Sequence, residues 1–281
     1  MSVVHDGEPL GGGMRAAIKF PVPVGGESAE EVAERFHRER EALVRLDHPH
    51  VVRMIAADAD AGWLALAYVD GGRLSDRLRN GPVPPDLVVP WLVQICHAAD
   101  HVHAAGLVHR DIKPGNVLIS GTGTDEHLTL IDFGLATSVR SRPGGTRDEL
   151  VLGSPHGMAP EQIRGDRIDG RSDIYAIGCL AWRALAGRWP FHGQNPAATM
   201  AMQVRAPAPR IDSVVPGVPK ELADIIERTM AKDPAARFVS ASELAKALEP
   251  WVPVVAPPVP YGVPAAIGLV VTAMAGWALF S

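Results

Sequence analysis

One stretch constrains this chain more than any other: LVHRDIKPGNVLI, from Leu107 to Ile119. Apolar periodicity predicts a helix over roughly residues 86–105 just before it, and Gly106 is the residue type that closes a helix in a left-handed cap. Within the stretch His109, Arg110, Asp111, Lys113 and Asn116 spell H-R-D-x-K-x-x-N. Five specified positions in eight residues are too many for a chance loop. Further on, LTLIDFGLA reads as a strand running into Asp132, Phe133 and Gly134, and GSPHGMAPEQ supplies Ala159, Pro160 and Glu161.

Before residue 70 the chain mixes strand-like runs with one helix. Ser28, with Glu31 three residues on, forms a capping box. Val32, Phe36, Leu43 and Leu46 follow at helical spacing, and Glu39 shares their inward face. Spacing alone reads Glu39 as a solvated glutamate at the edge of the stripe. The sharper reading is a buried carboxylate, which would need a cation, because a buried unpaired charge is costly. MRAAIKF reads as a strand with Ile18 and Phe20 on one face and Ala17 and Lys19 on the other. Taken alone Lys19 is an ordinary strand lysine; it is also the cation that a buried Glu39 would require.

With these motifs in this order, residues 1–249 resemble the protein kinases, and specifically the bacterial serine/threonine kinases of eukaryotic (Hanks) type. The resemblance implies an α+β, two-lobed fold, with a small β-rich lobe over residues 1–69 and a larger helical lobe over 70–249. It implies transfer of the γ-phosphoryl group of ATP, with Mg²⁺, to Ser or Thr hydroxyls of protein substrates. Such transfer needs positioning and charge neutralisation more than covalent help. By resemblance Asp111 accepts or orients the hydroxyl proton and Lys113 stabilises the transferring group; the lysine points to Ser/Thr rather than Tyr. Asn116 and Asp132 would be oxygen ligands of Mg²⁺, a hard cation. Lys19 would hold the α- and β-phosphates with Glu39 as its partner, and Ala17 would lie over the adenine. Leu66, at the gatekeeper position, Tyr68 and Val69 would line the nucleotide at the link between lobes.

The resemblance also assigns structural parts. RSDIYAIG, Arg171 to Gly178, matches the buried helix of the large lobe, with Asp173 bracing the catalytic loop. Glu161 and Arg237 match the family's buried pair. Three positions depart from the usual pattern: Ala67 stands for Glu, Ser154 for Thr and Gly157 for Tyr; Ser154 keeps a hydroxyl for Asp111. Arg110 directly before Asp111 marks members whose activation loop, here Asp132 to Glu161, is ordered by phosphorylation. Thr146 is the acceptor candidate, with a second copy of the chain as the phosphorylating partner and Asp148 as a standing negative charge nearby. An unmodified, exposed Thr146 is the alternative.

PLGGGMRAAIKF does not supply the family's glycine-rich phosphate loop. Five residues separate Gly13 from Lys19, too few for that loop and the strand after it. Gly11 to Gly13 read instead as a turn between two strands. Met1 falls where the family has the Met that follows its glycines. Either the start is an internal Met or the small lobe is degenerate. The second option leaves an alternative function, a pseudokinase or scaffold with weak or no phosphotransfer.

From Pro250 onward no residue is charged. Residues 250–263 read as a Pro-rich linker. Residues 264–281 would make a helix of roughly 27 Å, close to a hydrocarbon core of ~30 Å, so a transmembrane segment is expected there. That places the protein in a bacterial cell membrane as a single-pass chain with its kinase part cytoplasmic; the alternative is a cytoplasmic protein whose tail packs on a partner. A net charge of −5 with no long basic block gives nucleic-acid binding no electrostatic support. Two cysteines far apart, Cys96 and Cys179, fit a reducing compartment better than a disulfide framework.

Overall fold

The structure, a computed structural model, describes residues 2–7, 15–23, 26–59, 61–138 and 155–253. The glycines at 11–13, Thr146, Asp148, Ser154, linker residues 254–263 and the expected span 264–281 lie outside the described residues.

The first third builds one antiparallel sheet and one helix. β1 (Ser2–Gly7) pairs with β2 (Ala16–Pro21), placing Val4 opposite Lys19. α1 (Ala29–Val44) starts at the expected capping box: the Glu31 N–H donates to Ser28 Oγ at 3.2 Å and the Ser28 N–H donates to the Glu31 carboxylate at 2.7 Å. It buries Phe36, Glu39, Ala42 and Leu43. β3 (Met54–Asp58) and β4 (Trp63–Ala67) complete the sheet in the order β1-β2-β4-β3. β2 and β4 are therefore the inner strands, and Lys19 lies across from Leu64, in the well-shielded part of the sheet.

β5 (Gly72–Arg73) and α2 (Leu74–Arg77) open the larger, mainly helical part. α3 (Pro85–Ala104) is the predicted apolar helix, and Gly106 just beyond it has φ +73°, where a side chain would be strained. β6 (Leu107–Val108), β7 (Val117–Ser120), β8 (His127–Leu130) and β9 (Thr137–Ser138) follow. They form a small sheet ordered β5-β7-β8 and a two-stranded pair β6-β9. α4 (Pro160–Arg164), α5 (Gly170–Ala186), α6 (Pro196–Arg205), α7 (Lys220–Thr229) and α8 (Ala241–Leu248) make up the rest. α5 buries Ile174, Tyr175, Ile177, Leu180, Trp182 and Leu185, residues on every side of the helix, as a core-spanning helix must. Its Gly178 is needed for close approach to α7: a Cβ there would fall 1.9 Å from Thr229 Oγ1.

The two parts are joined by more than the chain. The segment between α1 and β3 hydrogen-bonds to the end of β8, with the Leu130 N–H donating to His50 O at 2.8 Å and the Val52 N–H to Leu130 O at 3.0 Å. α1, which carries Glu39, is thereby tied to the strand that leads into Asp132. Among the described residues no helix is long and apolar enough to cross a membrane.

Candidate active site

β6 and β7 are short rails whose residues Val108 and Val117 are fully buried, and the H-R-D-x-K-x-x-N loop runs between them. Arg110 has φ +68°, a region that costs a non-glycine residue of order 1–3 kcal/mol. What holds it is Asp173, buried on α5. Asp173 Oδ1 accepts the Arg110 N–H at 2.8 Å; Oδ2 accepts the His109 N–H at 2.9 Å and His103 Nε2–H at 2.8 Å. Burial pushes the Asp173 carboxyl up, but the hydrogen bond and charge of His103, with the backbone N–H of His109, pull harder and leave it below the usual carboxylate range. From the other side Gln162 Nε2 donates to Arg110 O at 3.0 Å. His109 fixes the next turn: Nε2–H donates to Ile131 O at 3.1 Å and Nδ1 accepts the Asp111 N–H at 3.2 Å.

The loop's three polar side chains then converge. Lys113 Nζ donates to Asp111 Oδ2 at 2.7 Å, and Asn116 Nδ2 donates to the same oxygen at 2.7 Å and to Asp111 O at 2.9 Å. Both oxygens facing Asn116 are acceptors, so its amide must present nitrogen to them. That leaves the Asn116 carbonyl oxygen as the end available to a hard cation. The Ile131 N–H donates to Asn116 O at 2.9 Å, which ties this loop to the residue before Asp132.

Lys19, Glu39 and Asp132 form the second cluster. Lys19 Nζ lies 2.5 Å from Glu39 Oε1 and 3.1 Å from Asp132 Oδ1, with Lys19 7% and Glu39 3% exposed. The spacing-only reading of Glu39 as a solvated residue is therefore corrected: its partner comes from β2, which no helical period reveals. Burial raises the Glu39 carboxyl, and the Asp132 charge pushes the same way against the pull of Lys19. Asp132 stays on the low side: burial raises it, but the Lys19 charge and hydrogen bond outweigh that. Asp132 also sits at φ +67°, in the left-handed region. Two oxygen donors of a hard cation's chemistry, Asn116 and Asp132, thus stand on adjoining segments, so the residues fit Mg²⁺.

Ala17 and Leu66 are direct partners in the β2–β4 register, so they share a face with Lys19. Leu66 is buried; Tyr68 and Val69 follow it half-buried, with the Tyr68 N–H donating to Arg15 O at 3.1 Å. Glu161 and Arg237 meet in a buried two-bond pair at 2.7 and 2.9 Å, joined by Ser172 Oγ–H on Glu161 at 2.6 Å. Two residues that the sequence reading missed belong to the site's support: His103, on Asp173, and Gln162, on Arg110. Neither lies in a recognisable pattern. The only signal for Gln162 was its place directly after Ala159-Pro160-Glu161, where its Oε1 accepts the Ala159 N–H at 3.0 Å.

Comparison with known proteins gives a consistent outcome. The protein kinase domain family matches residues 3–251. Serine/threonine-protein kinase pkn2 of Myxococcus xanthus is 35% identical over 254 residues, 88% of this chain and 30% of that protein. PknJ of Mycobacterium tuberculosis is 38% identical over 218 residues, 76% of this chain and 37% of its own length. PrkC of Bacillus subtilis is 36% identical over 217 residues, 76% of this chain and 33% of its own. The chain therefore spans about a third of the length of the curated relatives it matches.

Proposed function

The chain belongs to the protein kinase family, and we propose that it transfers the γ-phosphoryl group of ATP to Ser or Thr hydroxyls of proteins. The observation that carries this reading is the Asp111 carboxylate, held by both Lys113 and Asn116 on a loop braced by Asp173. Asp111 would accept or orient the proton of the acceptor hydroxyl. Lys113 would place its charge on the transferring group while keeping Asp111 in register. Lys19, oriented by Glu39, would hold the α- and β-phosphates, and Ala17, Leu66, Tyr68 and Val69 would enclose the adenine. Mg²⁺ held by Asn116 and Asp132 would neutralise charge on the phosphate oxygens.

The division into a small lobe over 1–69, a large lobe over 70–249, a linker over 250–263 and a membrane segment over 264–281 is part of the same proposal. The charge-free composition beyond Pro250 supports it. Thr146 is proposed as the activation-loop phosphosite, filled by a second copy of the chain.

Asp111→Asn keeps the shape of the side chain and removes one oxygen acceptor. It should abolish phosphorylation of a generic Ser/Thr protein substrate, while Asp132→Asn should raise the Mg²⁺-ATP requirement. Wild-type turnover by Asp111→Asn would show the assignment of that residue to be wrong. A folded wild-type chain without turnover would favour the scaffold reading.

A further inference from the structure

A groove of about 290 Å³ opens beside the catalytic loop, with Arg79, Lys113, Pro114, Gly115, Arg183 and Trp189 among its lining. Every ionisable residue that lines it is a cation: Arg79, Lys113 and Arg183. A fourth, the exposed Arg73, stands at its lip, with its guanidinium donating to Gly115 O. The chain as a whole carries a net charge of −5, so this concentration of positive charge does not follow from composition.

The partners of these cations decide how much of their charge remains. Lys113 is paired with Asp111. Arg79 meets Asp76 at 2.8 Å, but both side chains are exposed, 76% and 49%, and such a pair yields readily to a better acceptor. Arg183 donates to Gly187 O and Leu78 O, and Arg73 to Gly115 O. Backbone carbonyls satisfy N–H groups without cancelling a full charge. Two guanidiniums therefore keep their charge at the groove, beside apolar walls from Leu78, Pro114 and Trp189 that strengthen the local field.

We propose that this groove is a specificity subsite for an acidic side chain, Asp or Glu, of the protein substrate. The inference rests on the phosphotransfer reading above. Lys113 both lines the groove and bonds Asp111 at 2.7 Å, so the groove lies one side chain away from the acceptor position. An extended substrate advances ~3.3 Å per residue, which puts the acidic residue within about three positions of the acceptor. Arg73, Arg79 and Arg183 act here by holding the substrate, with no part in the chemical step.

The test uses Ser-acceptor peptides in which one position at a time, from three before to three after the serine, is Asp, Ala or Lys. With the full chain, Asp should exceed Lys in kcat/KM by about tenfold at one position or an adjacent pair, mainly through KM, and the ratio should shrink as salt rises. Arg73→Glu with Arg79→Glu should abolish or invert that preference. Lys246→Glu on α8, which makes the same kind of charge change away from the groove lining, should keep it. Arg183→Gln is a poorer probe, since it also strips two carbonyl contacts from the end of α5. Fluorescence anisotropy of the same peptides on the Asp111→Asn chain reads the groove without turnover. Absence of turnover on every peptide would sink the phosphotransfer reading while this binding arm still judged the subsite. A flat response to charge at all positions in both arms, or a preference untouched by the double reversal, would overturn the subsite.

Discussion

Asp173→Asn is the sharpest test of how the catalytic loop is held. The native carboxylate divides its work, with Oδ1 on the Arg110 N–H and Oδ2 on the His109 N–H and His103. Asparagine has one oxygen. Whichever way the amide turns, at least one buried N–H loses its acceptor and finds a second donor in its place. A hydrogen bond to a charged group is worth ~1.5–3 kcal/mol, and leaving a buried donor unmet costs ~1–3 kcal/mol, so a loss of about 3–4 kcal/mol is expected. Against a total of roughly 5–15 kcal/mol the chain stays folded, but with a urea midpoint lower by about 1 M for a slope near 3 kcal/mol/M. Arg110, released from its left-handed turn, relaxes and carries Asp111 with it. The kcat should therefore fall by about tenfold or more in the folded variant, while the KM for ATP changes little. The acid limb offers an independent check. The native Asp173 carboxyl lies below its unfolded value, so its contribution is full above about pH 4 and is lost as pH falls through the lowered folded value. The stability gap between wild type and variant should narrow below about pH 4. A variant with the wild-type urea midpoint and the wild-type kcat would refute the bracing argument.

Glu39→Gln leaves Lys19 with Asp132 as its only carboxylate partner among the described residues, so Lys19 should drift towards Asp132. Turnover should fall about tenfold or more, with weaker binding of a fluorescent ATP analogue; unchanged affinity would contradict the role given to the pair. Gly178→Ala drives a methyl group into Thr229 and should lower stability by about 1–3 kcal/mol or more, seen as a lower Tm, with no direct effect on the catalytic groups. His48 is pushed down to about 4 by burial and by His101 and His50 nearby. The folded chain thus binds fewer protons than the unfolded one between about pH 4 and 6.5, and this stability is full above about 6.5 and lost as pH falls towards about 4. Allowing for solvent screening, His48 contributes about 1–2 kcal/mol, and His48→Asn should flatten that acid slope in chemical denaturation; an unaltered slope would rule His48 out as its source.

Legibility from sequence followed the range of the contacts. Asp111, Lys113 and Asn116 bond one another within five positions, so a short motif carried nearly all of their geometry. The helix carrying Glu39 was equally clear, because a capping box and a 3.6-residue period are local. Its depth was not. A period marks which face turns inward, while burial of a charge at the edge of that face depends on a cation from another element, here twenty positions away. His103 shows the same limit more strongly: its partner Asp173 lies 70 positions on, and within α3 it looks like any helix histidine. The link between α1 and β8 also had no signature: its backbone hydrogen bonds at His50 and Val52 could be made by any residues, and the ring bonds of His50 to Leu128 O and of His127 to Pro49 O join positions 78 apart in the chain.

Backbone conformation gives the deepest reason why local rules stop short at this site. Among the described residues, Arg110 and Asp132 are the only non-glycine residues at positive φ. A propensity argument would place glycine at such positions, because a side chain there is strained by roughly 1–2 kcal/mol. Glycine would relieve the strain but would remove the carboxylate that the proposed function asks of Asp132 and the guanidinium that the resemblance ties to loop ordering at Arg110. The strain is instead offset at long range, by Asp173 on the Arg110 N–H and by Lys19 on the Asp132 carboxylate. The two residues that break the local rule thus sit in the two motifs on which the proposed function rests, and each is held by a partner from another element. A site of this kind is most conspicuous as a motif and least predictable as a conformation, because its residue types are set by chemistry and its geometry by distant contacts.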